Sequence, residues 1–363
     1  MNRKYRVGII GGTGYVGQRF ITLLENHPWF KVTHIAASPR SAGKKYADIM
    51  QNRWKIDETM PESVKDIVVE DSANIEKFAN EIDFVFCAVD MEKTALIELE
   101  ESIAKLEIPV ISNNSANRWT KDVPMVIPEI NHDHIKVIDS QKKRLGTKVG
   151  FIAVKPNCSI QSYVPALTPL QKFGIKKVLV STYQAVSGAG KTLTEWPEIS
   201  ENVIPYIGGE EEKSEKEPLR VWGKLNDNAD AIEIAEEPII SAQCYRVPVQ
   251  DGHMASVAVS FEEKPSKEEI IEIWNSFRTY PEEKELPSAP SPFLQYLEQD
   301  DRPQSKLDRM FGNGFGVSIG RLREDSIFDY KFACLSHNTI RGAAGGAILT
   351  AELLVKEGYI PLK

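Results

Sequence analysis

The chain has 363 residues, enough for two domains that each bury a hydrophobic core. Its composition, 42% hydrophobic and 26% charged, is that of a globular protein, and its net charge of -8 argues against a nucleic acid or an anionic membrane as partner. It contains no run of about 18 apolar residues, so we expect no membrane span. Its four cysteines are too widely separated for a metal knuckle or a disulfide framework. We therefore expect a cytoplasmic protein without a bound metal.

The first part of the chain alternates β-branched runs with helical patterns, which predicts a parallel sheet with crossover helices. The first of these helices is expected to end at Pro28, because proline cannot continue a helix. The strands are predicted over residues 6–10, 31–36, 84–88 and 110–112.

From about residue 135 the apolar strands become longer, which indicates a second sheet with helices on one side. A segment rich in Glu and Lys, residues 192–226, is typical of a solvated helix with i,i+4 charge pairs. A final Ala- and Leu-rich helix is predicted over residues 342–356. The strands of the second sheet are predicted over residues 177–182, 245–249 and 254–261.

A glycine-rich segment, GGTGYVG at residues 11–17, directly follows the first predicted strand and precedes a helix. Small residues let the backbone approach a pyrophosphate, whose charge is then stabilised by free N–H groups at the helix N-terminus. This context favours dinucleotide binding over a plain glycine-rich turn. The residues expected to contact the cofactor here are Gly11, Thr13, Gly14, Tyr15, Val16 and Gly17.

The end of the second predicted strand distinguishes NAD from NADP, because an acidic residue there would bind the ribose 2′-OH of NAD. This chain instead carries SPRSAGK at residues 38–44. The hydroxyls of Ser38 and Ser41 and the guanidinium of Arg40 suit a 2′-phosphate. We therefore expect NADP; the alternative is a loop that is basic only for solubility.

Cys158 lies between an apolar run and a helical pattern that includes Val164 and Leu167. A thiol near a helix N-terminus ionises more readily, and backbone N–H groups there can hold an oxyanion. Cysteine is also a common buried hydrophobic residue, so packing is the alternative. The other cysteines lie in or beside apolar strands and are expected to be packing residues: Cys87, Cys244 and Cys334.

His253 is the most suggestive histidine for a proton transfer to or from this thiol. It follows an Asp-Gly turn that would expose its ring, and Arg246 supplies a nearby cation for a carboxylate. Spacing alone does not place Cys158 beside His253. Three further histidines are expected to be ordinary surface residues: His27, His132 and His134.

Taken together, these segments resemble the aspartate-semialdehyde dehydrogenase family, and its archaeal and fungal branch more than the usual bacterial one. The resemblance covers nearly the whole chain, with departures at residues 113–117 and 159–163. It implies a Rossmann-type NADP-binding domain over residues 1–134 and 341–363. It also implies an α+β catalytic and dimerisation domain of the glyceraldehyde-3-phosphate dehydrogenase type over residues 135–340. The most specific stretches are residues 11–17, 39–45, 157–159, 184–190, 202–213, 246–253 and 335–345.

The resemblance also implies roles for individual residues. Cys158 is the nucleophile, His253 the general acid and base, and Gln184 the residue that orients the substrate, with Asn157 close to the oxyanion. The substrate's α-carboxylate, ammonium and phosphate are expected to contact, in that order, Arg246, Glu210, and Arg118 with Lys213. Further cofactor contacts are expected from Ser187, Gly188 and Asn338, the last beside the nicotinamide amide.

The implied activity is NADPH-dependent reductive dephosphorylation of 4-phospho-L-aspartate to L-aspartate 4-semialdehyde through a thioester, in the biosynthesis of lysine, threonine, methionine and isoleucine. The alternatives are a related reductase of malonyl-CoA, another acyl-CoA or N-acetylglutamyl phosphate, and a non-catalytic NADPH-binding protein. Arg118 and Lys213 favour phosphate over coenzyme A as the leaving group. The expected partners are small molecules, phosphate and further copies of the chain, as a homodimer or homotetramer.

Overall fold

A computed structural model describes residues 3–363, which form two six-stranded sheets and a short hairpin, with helices packed on the large sheets. The strands are β1 (Tyr5–Ile10), β2 (Phe30–Ala37), β3 (Glu70–Asp71), β4 (Phe84–Cys87), β5 (Val110–Ser112), β6 (Ile152–Val154), β7 (Ile175–Gln184), β8 (Lys224–Leu225), β9 (Ile232–Glu233), β10 (Ile239–Arg246), β11 (His253–Phe261), β12 (Leu294–Leu297), β13 (Val317–Glu324) and β14 (Tyr330–Ser336). The α-helices are α1 (Tyr15–Leu24), α2 (Tyr46–Met50), α3 (Glu62–Lys65), α4 (Lys93–Lys105), α5 (Pro128–Asn131), α6 (Ile138–Leu145), α7 (Ile160–Leu167), α8 (Glu210–Val221), α9 (Lys267–Ser276), α10 (Tyr280–Glu283), α11 (Ser305–Asp308) and α12 (Gly345–Lys356).

The first sheet is parallel throughout, with the strand order β3-β2-β1-β4-β5-β6. Strands β4, β5 and β6 are buried along their whole length, as expected where helices cover both faces of a parallel sheet. The predicted Rossmann-type sheet is therefore confirmed. Its last strand, β6, lies past residue 134, and α12 returns from the end of the chain to pack in the same core.

The second sheet is mixed, with the order β10-β7-β11-β14-β13-β12, and confirms the predicted α+β second unit. Inward-facing residues alternate with exposed ones along β7, as the period of two along a strand requires. The strand predicted over residues 245–249 is wrong, because β10 ends at Arg246. Pro248 lacks the N–H that would continue the ladder.

Several other sequence predictions differ from the structure. Within the Glu- and Lys-rich segment the only α-helix is α8, and the last α-helix begins at Gly345 because Ala343 has a non-helical backbone. His27 and His134 are buried rather than on the surface. Long-range partners satisfy their rings: His27 Nε2 lies 2.7 Å from Glu352, and His134 Nε2 lies 3.0 Å from the Gly223 carbonyl. Between residues 3 and 363, no helix has the length and apolar character needed to cross a membrane.

Candidate active site

The register of the second sheet brings three of the predicted site residues to one edge. Gln184 ends β7, Arg246 ends the parallel neighbour β10, and the two residues are directly paired. His253 begins β11, which runs antiparallel to β7, so it starts at the edge where β7 ends. Strand β14 ends at the same edge, where Ser336 pairs with His253. The sheet therefore gathers side chains that are far apart in sequence.

The thiol follows the last strand of the first sheet. Cys158 lies in the turn between β6 and α7, and its Sγ is 3.5 Å from Nε2 of His253. A cavity of about 330 Å³ opens between the two domains at this point. The predicted site residues that line it are Val16, Arg118, Asn157, Cys158, Ser187, Gly188, Glu210, Lys213 and Asn338.

The hydrogen bonds of His253 fix the position of its proton. Its Nδ1 accepts the backbone N–H of Ala185 at 3.1 Å, so in the neutral ring Nε2 carries the hydrogen and faces the Cys158 sulfur. Burial, aided by Arg246, His337 and Lys155, holds the pKa of His253 well below its ordinary value. The ring is therefore neutral near pH 7 and acts as a hydrogen-bond donor to the sulfur.

Opposing charges act on the Cys158 thiol. Burial raises its pKa, and so does the carboxylate of Glu210, while Lys155, Arg246 and Arg118 act in the opposite direction. The net shift is upward. Burial and Glu210 favour the neutral thiol. The surrounding cations and the Nε2–H of His253 favour the thiolate, without outweighing burial in the free protein.

The backbone of Ala185 holds two side chains at once. Its N–H donates to His253, and its carbonyl accepts a 2.6 Å hydrogen bond from Nη1 of Arg246. Gly188 lies against the same pair, since a Cβ built on it would come within 2.9 Å of Arg246 Nη1 and 3.0 Å of His253 Nε2. The histidine and the arginine are thus positioned by a turn that has no room for a side chain at residue 188.

Glu210, at the start of α8, joins three of the predicted site residues. It accepts hydrogen bonds from Asn157 Nδ2 at 2.9 Å and from Gln184 Nε2 at 3.2 Å, and it pairs with Lys213 at 2.9 Å. Burial alone would raise the pKa of Glu210, but Lys213 and these donors outweigh burial and hold it below its ordinary value. An ionised carboxylate therefore lies inside the cavity.

Glu217, which we did not predict, lies on the same face of α8 as Glu210. One of its oxygens accepts the Asn157 N–H at 2.6 Å, and the other pairs with Arg118 at 2.8 Å. The Asn157 N–H is therefore not free to hold an oxyanion, which leaves the neighbouring Cys158 N–H as the backbone donor. The i, i+3, i+7 spacing of Glu210, Lys213 and Glu217 could have predicted that the three side chains share one face of α8.

Arg118 uses much of its hydrogen-bonding capacity on the protein. Besides the pair with Glu217, Nε donates to the Lys155 carbonyl at 3.0 Å and Nη2 to the Asn113 carbonyl at 3.2 Å. Lys155, which we also did not predict as a site residue, is buried and lines the cavity. Burial, with Arg118 adding to the effect, lowers the pKa of Lys155 to about 7.

The glycine-rich loop has the shape expected of a pyrophosphate cradle. Gly11 has φ +89, and a Cβ there would lie 2.3 Å from the Ala88 carbonyl oxygen; at Gly17 a Cβ would lie 2.4 Å from that of Gly11. Gly14, by contrast, has room for a Cβ, which would lie 3.5 Å from the Gly11 carbonyl oxygen, and it immediately precedes α1. The first N–H groups of a helix have no partner within it, so the residues present fit an anionic ligand at this end of α1.

The remaining predicted cofactor residues lie in two places. Ser38 and Arg40 are exposed just after β2, and Ser41 beside them is buried. Asn338 instead lines the cavity: its Nδ2 donates to Ser187 Oγ at 2.8 Å, and its Oδ1 accepts the Gly252 N–H at 2.8 Å. The predicted cofactor residues therefore run from the end of β2, past α1, into the cavity that holds Cys158.

Known proteins share both the sequence and this architecture. The family models described as semialdehyde dehydrogenase, NAD binding domain, and semialdehyde dehydrogenase, dimerisation domain, match residues 6–138 and 167–341. An aspartate-semialdehyde dehydrogenase from Archaeoglobus fulgidus is 42% identical over 98% of this chain and 100% of its own length. One from Aspergillus fumigatus is 42% identical over 98% of this chain and 99% of its own length. The chain belongs to the aspartate-semialdehyde dehydrogenase family.

A solved member of the aspartate-semialdehyde dehydrogenase family has the same fold. The crystal structure of the Candida albicans enzyme with NADP superimposes with a TM-score of 0.88 at 39% identity, covering 99% of this chain and 100% of that one. The archaeal and fungal relatives confirm the resemblance seen in the sequence.

The two stretches that depart from the family pattern make buried hydrogen bonds. In the first, Asn114 Nδ2 and Asn117 Nδ2 donate to the two oxygens of the buried Glu100, at 3.0 and 2.7 Å. In the second, Gln161 Oε1 accepts from Nε of the buried Arg341 at 3.1 Å. In this member of the aspartate-semialdehyde dehydrogenase family, both departures therefore serve the scaffold around the cavity.

Proposed function

We propose that this chain reduces 4-phospho-L-aspartate to L-aspartate 4-semialdehyde and phosphate, with NADPH as reductant, through a thioester on Cys158. The observation that carries the proposal is the Cys158–His253 pair at 3.5 Å, with Cys158 lining a cavity that also has charged groups of both signs. Family membership supports the same activity.

The charges of the cavity complement those of the substrate. Arg246 has one N–H group on the Ala185 carbonyl and others available for the substrate α-carboxylate. The ionised Glu210 suits the substrate ammonium. Lys213 and Arg118 line the same cavity and supply positive charge for the substrate phosphate. Gln184, which is hydrogen-bonded to Glu210, fixes the direction of that carboxylate.

In the first chemical step the Cys158 thiolate attacks the acyl carbon of the acyl phosphate. The carbonyl oxygen becomes an oxyanion, which the Cys158 N–H can hold, and its collapse breaks the C–O bond to phosphate. The phosphate leaves with the bonding electron pair, and a thioester remains on Sγ. Before attack, the Nε2–H of His253 stabilises the thiolate.

The cofactor site fits NADP. The glycine loop and the start of α1 would hold the pyrophosphate, Ser38, Arg40 and Ser41 the 2′-phosphate, and Ser187, Gly188 and Asn338 the nicotinamide end. When bound, NADPH supplies the hydride that reduces the thioester carbonyl. For its part the chain keeps the neutral His253 beside the sulfur, where Nε2–H can donate a hydrogen bond when Cys158 is released as thiolate.

Replacing the nucleophile tests the proposal. Cys158→Ala is expected to reduce phosphate- and NADP-dependent oxidation of aspartate semialdehyde to background while NADPH still binds, as measured by cofactor fluorescence. Cys334→Ala, at a buried packing cysteine in β14, is the matched control and should retain activity. Retained turnover in Cys158→Ala would contradict the proposal, and replacing phosphate by coenzyme A in the assay tests the acyl-CoA alternative.

We further propose that the chain forms a homodimer or homotetramer through the second sheet. The outer face of β7 and β10 exposes Leu179, Tyr183 and Ile239, an apolar surface that another copy could cover. Leu179→Lys together with Ile239→Lys should then lower the mass measured by light scattering. The four free cysteines favour a reducing compartment such as the cytoplasm.

A further inference from the structure

Three cationic side chains line the cavity, and two of them are already neutralised. Arg118 is paired with Glu217, and Lys213 with Glu210. The third, Lys155, has no carboxylate partner among residues 3–363. Arg246, which lies against the lining residue Gly188, has none there either. One cation without a carboxylate partner therefore lines the cavity and a second lies beside it, and under the proposed function the substrate has two anionic groups.

These two cations are attached to different sheets. Arg246 belongs to the second sheet, where the proposed function assigns it to the α-carboxylate. Lys155 follows β6 of the first sheet, and its N–H donates to the Ser112 carbonyl at 2.9 Å. Lys155 thus belongs to the wall that also contains residues 113–118.

Arg118 links the segments of this wall by hydrogen bonds. Through Nε and Nη2 it bridges the carbonyls of Lys155 and Asn113, and through Nη1 it is tied to Glu217. Its positive charge is neutralised by Glu217, although two of its five N–H groups remain available to a ligand. Arg118 therefore acts mainly as a positioning residue for Lys155 and Asn113.

Lys155 itself lies in an environment where burying its positive charge without an anionic partner destabilises the folded protein. It is 3% exposed, and the contact of its ammonium is the Pro156 carbonyl. Beside it, the side-chain nitrogen and oxygen of Asn113 are buried without a hydrogen-bond partner, and both residues line the cavity. An ammonium without a carboxylate partner and an amide without a hydrogen-bond partner, on one wall, supply the donors that an anion requires.

We propose that Lys155, with the side chain of Asn113, binds the phosphate group of the substrate and the free phosphate that leaves. This assignment rests on the proposed function, and it makes Lys155 the principal charge for the leaving group. Because its pKa lies near 7, the protonated form would be favoured by a bound dianion.

Kinetics in the oxidative direction test the assignment, since inorganic phosphate is then a substrate. Lys155→Met should raise the KM for phosphate at least about tenfold, the loss expected for one charge-assisted hydrogen bond, and change the KM for the aldehyde and for NADP by less than about twofold. Lys155→Arg should recover part of the phosphate affinity. Lys216→Met, on the exposed face of α8, is the control and should leave all three constants unchanged.

A second measurement does not depend on turnover. Inorganic phosphate should slow alkylation of Cys158 by iodoacetamide in the wild-type protein, and about tenfold more phosphate should be needed in Lys155→Met. The same variant should unfold at an unchanged or higher temperature, because it removes an unpaired buried charge. A lysine that served only the scaffold would instead lower the unfolding temperature when replaced.

The outcomes separate the two proposals. An inactive wild-type protein would contradict the proposed function. An active wild-type enzyme whose Lys155→Met variant keeps its phosphate KM and its phosphate protection would contradict only the role of Lys155. A raised KM for NADP with an unchanged KM for phosphate would assign Lys155 to the cofactor and overturn the inference.

Discussion

The cofactor loop and the substrate pocket are built in opposite ways. The loop at residues 11–17 is formed by one strand–turn–helix unit, and its shape depends on backbone atoms within that unit and on the adjacent β4. The substrate pocket draws on five separated segments, and its polar groups hold one another through Ala185, Glu210 and Glu217. Added side-chain atoms should therefore disrupt the loop, whereas the pocket should be disrupted by the loss of single hydrogen bonds.

Gly17→Ala should have the largest effect on the loop. The new Cβ would overlap the Gly11 carbonyl oxygen at 2.4 Å, where backbone cannot easily yield. We expect a loss of roughly 1–3 kcal/mol in unfolding free energy and activity near background because NADPH no longer binds. Gly14→Ala, whose Cβ would make only an ordinary 3.5 Å contact with the Gly11 carbonyl oxygen, should unfold at the wild-type temperature. Equal unfolding temperatures for the two variants would refute the steric explanation.

Glu217→Gln tests the pocket by removing one charge without changing its shape. Arg118 would be left buried without its partner, so we expect roughly 3 kcal/mol of destabilisation and about 100-fold lower kcat/KM. Glu212→Gln, one exposed charge on the same helix, should change neither quantity measurably. Chemical denaturation and steady-state kinetics distinguish the two, and a full-activity Glu217→Gln enzyme would show that the Asn157–Arg118 bridge is dispensable.

Gly188→Ala should act on position rather than on stability. A Cβ 3.0 Å from His253 Nε2 would displace the ring or the Arg246 guanidinium by a few tenths of an ångström. We expect roughly tenfold lower kcat/KM for the semialdehyde. The unfolding temperature, measured on the same preparation, is expected to change little. Because Gly188 is also assigned to the nicotinamide end of the cofactor site, NADPH affinity should fall too; an unchanged kcat/KM with weaker NADPH binding would contradict the positioning of His253 and Arg246 by this glycine.

The smallest expected effect concerns the ionisation of Cys158. Burial and the charge of Glu210 raise the thiol pKa, so the rate of iodoacetamide labelling should climb with pH through and above pH 8. Glu210→Gln removes the negative charge and frees Lys213, so it should lower the thiol pKa and increase labelling at pH 7 severalfold. Slower labelling in this variant would contradict the conclusion that the charge of Glu210 raises the pKa of Cys158.

Part of the site could be predicted because its signals are local. The GGTGYVG segment and the Cys158 junction each join a strand end to a helix start, and the Ser38–Arg40–Ser41 turn directly follows a strand; each is complete within a few residues. Lys155 and Glu217 were missed for the opposite reason. A lysine before a proline and a glutamate in a charged helix look like solvated residues until the fold shows what surrounds them.

The histidines show the same limit. His27, His134 and His253 all stand next to polar or turn residues in the sequence, yet all three are buried. His27 is paired with Glu352, which is 325 residues away, and His253 meets Cys158 across 95 residues. Polarity near a residue in sequence therefore did not indicate exposure in space.

The sequence by itself determined the two-domain α/β organisation, the nucleotide loop and the family, because strand and helix periodicity and short motifs are read from neighbouring residues. Only the tertiary structure decided that Cys158 lies beside a neutral His253, that Arg118 is committed to Glu217, and that Lys155 is an unpaired charge. These facts depend on the register of the second sheet and on burial, which bring together groups from both domains and set their charges.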